Sequence, residues 1–80
     1  MQTEIVLSAP ERLRTARIRA GFDQEQMGKL VGVTRSVVSA YETGRTEPTL
    51  STLVKWADAA DVSLDWMCAR RDSNPQPSDP

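Results

Sequence analysis

The sequence predicts an all-α domain of five short helices. Ser8, Asp23, Thr34, Thr49 and Ser63 each stand just ahead of an apolar pattern with helical spacing, where an N-cap belongs. Gly21, Gly32 and Gly44 stand just past the end of such patterns, where glycine closes helices. No segment shows a strong strand pattern, and there is no internal repeat.

The first helix follows Ser8, which has Glu11 at capping-box spacing, and Pro10 is tolerated in a first turn. Leu13, Ala16, Arg17 and Ala20 share one face, and Gly21 ends the helix. The second helix has Asp23 as N-cap with Gln26 at the N3 position, a stripe of Met27, Leu30 and Val31, and a stop at Gly32. Thr34 caps the third, predicted from Arg35 to Thr43 with Val37, Val38 and Tyr41 inward, and Gly44 closes it. Only Gly32 to Thr34 separate the second and third helices, which is helix-turn-helix spacing. Thr49 caps the fourth helix, whose stripe is Leu50, Leu53, Val54, Ala57 and Ala60 with Trp56 flanking it. Ser63 caps the last, which buries Leu64, Trp66 and Met67.

The predicted organisation is an N-terminal arm at residues 1–8, a helical domain at 9–69 and a disordered tail at 70–80. The tail has three prolines and almost nothing apolar to offset the entropy of ordering it. Leu7 either staples onto the first helix or belongs, with the rest of "EIVL", to an added strand or arm at a dimer contact. Eighty residues make one small domain with a modest core.

A single cysteine forms no internal disulfide, and the absence of histidine removes a Cys/His zinc site and any Ser-His or Cys-His catalytic pair. Cys68 reads as a small half-buried hydrophobe. No apolar run is long enough to span a membrane, and the N-terminus lacks the basic region of a signal peptide. The expectation is a cytoplasmic protein that is not an enzyme, needs no cofactor or metal, and shows no evident small-molecule ligand. The net charge of −1 hides an asymmetry: residues 11–45 carry +3 and residues 46–80 carry −3. Either this is surface scatter or it marks a basic face and an acidic back.

Two helices joined so tightly cross steeply and push the second outward. Its exposed N-terminus then offers free N–H groups to phosphate, and its body fits a DNA major groove. The stretch from Arg12 to Met67, with "RIRAGFDQEQ", the turn "LVGVT", the exit "YETGRTEPT" and the ending "VSLDW", resembles the DNA-binding domain of Cro/cI-type repressors, the XRE family. The resemblance implies a five-helix, lambda repressor-like fold that binds double-stranded DNA.

It also implies roles for residues. Gln24 would bond a backbone phosphate and buttress the third helix. Arg35 puts a cation at a helix N-terminus, a locally unfavourable place, so it is a candidate for a base edge, with phosphate contact or a solvated surface charge as alternatives. Ser36, Ser39 and Ala40 would face the groove. Thr34 would be both cap and phosphate ligand, although the cap alone would explain it, and Thr43, Arg45 and Thr46 would follow the DNA backbone. Glu47 departs from this pattern, since phosphate repels it, and is expected to point away or to lower affinity. Arg17 and Glu42 would form an ion pair between the first and third helices. Trp66 and Met67, mainly core residues, are the expected dimer contact. Gly28 stands where the family has Ala, and either residue is expected to let the helices approach. Asp61 stands where Gly ends the fourth helix.

The leading expectation is a sequence-specific transcriptional regulator, a phage- or mobile-element-type repressor binding a pseudo-palindromic operator as a homodimer. The alternatives are an antitoxin or restriction–modification controller with the same domain, and a protein-interaction adaptor that does not read DNA.

Overall fold

Polar side chains start the helices. In the computed structural model, which describes residues 8–68, Ser8, Asp23, Thr34 and Thr49 each accept a hydrogen bond from the backbone N–H three residues on. The helices are α1 (Ala9–Ala20), α2 (Gln24–Val31), α3 (Arg35–Thr43), α4 (Leu50–Ala60) and α5 (Leu64–Cys68). Ser63 Oγ accepts from Trp66 N at 3.1 Å and opens α5. At Gly32 the chain takes φ +84°, a left-handed conformation that strains any residue with a Cβ, and so turns from α2 into α3 within three residues. Asp61 does the same at φ 58° without being glycine.

Helix α1 packs on α3, α4 and α5, while α2 packs on α3 and α4. The core collects Leu13, Ala16, Met27, Val31, Val38, Tyr41, Trp56, Ala57 and Met67. Trp56 is at its centre, fully buried, with Nε1 donating to Leu13 O at 3.1 Å and its ring meeting Tyr41 edge-on at 6.2 Å between centroids. A buried indole needs such a partner for its N–H.

Three apolar positions differ from the predicted stripes. Leu50 and Val54 are 66 % and 41 % exposed, because α4 turns Leu53, Trp56, Ala57 and Ala60 inward. Seating the indole fixes that rotation. Leu30 is 50 % exposed, because α2 faces inward through Met27, Gly28 and Val31. Met67, expected at a dimer contact, is wholly inside the protomer and has no surface to present. Trp66 is half-buried under the Arg12 guanidinium, 4.9 Å from its ring centroid.

The proposed roles of "EIVL" and the predicted tail at 70–80 lie outside the described residues, as does the burial of Cys68. Among the described residues no helix is long and apolar enough to cross a membrane, and no His, Cys, Asp or Glu cluster with metal-holding geometry occurs.

Candidate nucleic-acid interface

Helix α3 carries two kinds of residue on opposite sides. Val38, Tyr41 and Glu42 are buried against the core, whereas Thr34, Arg35 and Ser36 at its start are exposed. Thr34 Oγ1 accepts from Val37 N at 3.3 Å. The cap uses an oxygen lone pair, so the hydroxyl proton stays available to an outside acceptor. Ser39 and Ala40 follow one turn later on the same side, half-buried.

The loop leaving α3 is tied to one carbonyl. Ala40 O accepts from Arg45 N at 3.0 Å, from Thr46 N at 3.4 Å and from Thr43 Oγ1 at 3.3 Å. Thr43 Oγ1 also reaches Ser39 O at 3.0 Å, so its proton is engaged in the helix and only acceptor capacity is left to a ligand. These bonds fold Arg45 back beside the start of α3. Gln24, Arg35, Ser36, Ser39 and Arg45 together line a shallow hollow of about 230 Å³. A polar hollow with two guanidinium groups and two hydroxyls suits an anionic, hydrogen-bonding ligand. Glu47 is exposed and lines a different groove, with Pro10, Tyr41 and Leu53.

An ion pair holds this surface from behind. Arg17 Nε donates to Glu42 Oε2 at 2.6 Å and Arg17 Nη2 to Glu42 Oε1 at 3.0 Å. Arg17 Nη1 donates to Phe22 O at 2.9 Å. Gln24 Nε2 donates to Glu42 Oε1 at 3.2 Å. One carboxylate thus joins α1, α2 and α3, and Gln24 keeps a second amide hydrogen for an outside acceptor.

Gln24, expected to buttress the third helix, does so through Glu42 Oε1, a partner 18 residues away that no local pattern signals. Reading the sequence missed one feature. Gly28 lies closer to the turn than expected: a Cβ there would lie 2.6 Å from Val33 O, so alanine requires a shift of the neighbouring backbone. Its signal was a glycine inside a helix, which carries a cost that invites a packing explanation.

Residues 13–67 match the helix-turn-helix family model. The chain is 39 % identical over 57 residues to the SPbeta prophage-derived uncharacterized HTH-type transcriptional regulator YonR of Bacillus subtilis, covering 71 % of this chain and 53 % of that protein. It is 38 % identical over 60 residues to the cryptic phage CTXphi transcriptional repressor RstR of Vibrio cholerae, covering 75 % and 54 %. The chain therefore spans about half the length of these relatives. Its fold is similar to the P22 c2 repressor in complex with a synthetic operator, with a TM-score of 0.71, 31 % identity, and coverage of 76 % of this chain and 92 % of that one. It is also similar to the restriction–modification controller C.AhdI of Aeromonas hydrophila, with a TM-score of 0.68, 32 % identity, and coverage of 74 % and 89 %.

Proposed function

This chain belongs to the helix-turn-helix family, and from that membership we propose that it is a sequence-specific, double-stranded-DNA-binding transcriptional regulator, a repressor of the phage or mobile-element kind. The observation that carries the proposal is α3 itself: buried along one side, pinned at Glu42, and exposed at Thr34, Arg35 and Ser36. That geometry offers the first turn of a helix to a major groove while its far end is anchored. Arg35 reads a base edge, Ser36, Ser39 and Ala40 face the groove, and Gln24, Thr34, Thr43, Arg45 and Thr46 follow the sugar–phosphate rail. The working form is a homodimer, because one domain of this size offers only about 600–1,000 Å² to DNA, too little for strong specificity. The setting is the cytoplasm.

The likeness to C.AhdI supports a second reading, a restriction–modification controller. Selection of duplexes from a random pool, followed by binding at several salt concentrations, tests the common core of both. Enrichment of a two-fold symmetric sequence and affinity that falls steeply with salt are expected. No enrichment and no salt slope would leave a protein-interaction adaptor in its place.

A further inference from the structure

We infer that Ile5 and Leu7 dock into an apolar groove of their own chain, beside the start of α1, and brace the loop between α3 and α4. The bracing of a DNA contact rests on the function proposed above, and the docking does not. The groove measures about 300 Å³. Its floor is Leu13, Tyr41 and Met67, all buried, and Pro10 and Leu53 on its sides are half-buried. A cavity of about 150 Å³ accepts one benzene-sized group, so this groove has room for two aliphatic side chains.

The occupant follows from where the described chain begins. Ser8 is extended, with φ −73° and ψ 167°, and Ala9 and Pro10 right after it line the groove. Ile5 stands three residues before Ser8, so its Cα lies within about 11 Å of that of Ser8. Side chains alternate along an extended segment, which sends Ile5 and Leu7 to one side and Glu4 and Val6 to the other. A hydrophobic staple would instead join Leu7 to the fourth residue of α1. That residue is Arg12, whose guanidinium lies over Trp66, so the staple has no apolar partner there. Residues 69–80 follow closely on Met67, but they carry one alanine, three prolines and no larger apolar side chain. The same segment of a second copy is outcompeted, because a tether this short gives an effective concentration of about millimolar.

The outer wall of the groove is the loop that leaves α3, through Thr46, Glu47 and Pro48. The loop already touches α1: a Cβ on Gly44 would stand 3.5 Å from Pro10 Cγ. Its backbone ties weaken along the chain. Arg45 N reaches Ala40 O at 3.0 Å, but Thr46 N only at 3.4 Å, past the usual range. Ile5 and Leu7, packed between Pro10, Leu53 and Pro48, join the loop to α1 where those ties give out. Thr46 is thereby held in place for the sugar–phosphate rail.

The test uses the full chain as wild type, Ile5→Ser/Leu7→Ser and Val6→Ser. In the wild type, NMR should show the methyl groups of Ile5 and Leu7 in contact with the Tyr41 ring and the Leu53 methyl groups. The paired variant should unfold about 5–10 °C lower, whereas Val6→Ser should stay within about 2 °C of the wild type. Amide exchange at Thr46 and Glu47 should quicken about tenfold in the paired variant and stay unchanged at Val38. Its affinity should fall about threefold on every duplex, with base preference intact.

Missing methyl contacts in the wild type overturn the inference, and that measurement needs no variant to fold. Equal effects of Val6→Ser and the paired variant overturn it too, as does unchanged exchange at Thr46 and Glu47. Contacts between differently labelled copies in a mixed sample, with an unfolding temperature that rises with concentration, would assign the segment to a dimer arm and overturn docking within one chain. If the wild type binds no duplex, the DNA-binding function fails first, and the methyl contacts and amide exchange still decide the docking.

Discussion

Arg17 and Glu42, 25 residues apart, meet through two hydrogen bonds with side-chain exposures of 10 % and 2 %. Arg17 also donates to Phe22 O, just past the end of its own helix, and Glu42 accepts from Gln24. Each nitrogen of the guanidinium has an acceptor, so the burial of two charges is matched by geometry. The pair fixes how α3 leans on α1 and α2. Its net worth against an apolar pair is small, but half of it is costly.

Glu42→Ala should therefore lower stability by about 3–5 kcal/mol, read from urea unfolding, because the Arg17 charge is left buried without its partner. The double variant Arg17→Met/Glu42→Leu should lose clearly less than Glu42→Ala. If the double variant is the less stable of the two, the pair contributes by attraction and not by mutual need.

Arg35 and Gln24 should differ in kind. Arg35→Ala should cost about 1–3 kcal/mol on the preferred duplex and relax the preference at one G·C pair per half-site. Gln24→Ala should weaken binding to all duplexes more evenly, because the role proposed for this amide, held by Glu42 at the edge of α2, is contact with the backbone and not the bases. Binding on single-base variants at fixed salt separates the two. An even loss for Arg35→Ala would assign it to phosphate and pass the reading to Ser36, Ser39, Ala40 or DNA shape.

Asp61→Gly should raise stability by about 1 kcal/mol. Asp61 holds φ 58° and ψ 47°, a conformation that costs an L-residue energy and glycine almost none. The change also removes a negative charge from the C-terminal end of α4, where the helix dipole disfavours it. Thermal unfolding measures the gain, and DNA affinity should be untouched because Asp61 lies far along the chain from the reading turn. A loss of stability would mean that the carboxylate makes a favourable contact.

The proposed homodimer should protect two half-sites with centres about 34–36 Å apart, one turn of DNA. Sedimentation on a duplex carrying both half-sites should give two protomers per duplex, with a single protected half-site arguing for a monomer. Trp66 is the remaining candidate contact from α5. Trp66→Ala should lower cooperativity between half-sites more than it lowers affinity for one. Met67→Ala, by contrast, should act through the core, at about 2–5 kcal/mol of stability.

Sequence by itself determined the five helices, their caps and the tight turn, because these are local: a Ser, Asp or Thr side chain bonds the N–H three residues on, and a glycine turns left-handed just past the helix. It also located the residues that face outward at the start of α3, since exposed polar groups next to a cap need no distant partner. Tertiary structure alone decided which apolar residues of the predicted stripes stayed outside the core. The bulk of Trp56 and its bond to Leu13 O set the rotation of α4 and left Leu50 and Val54 outside. Met67, read as mainly core, kept no surface for a dimer contact, because packing volume is shared among elements distant in the chain. Tertiary structure likewise decided how closely the turn approaches Gly28. Periodicity sees a small residue at that position, but only the approach of Val33 O to 2.6 Å from where a Cβ would stand reveals that one more carbon makes the turn shift.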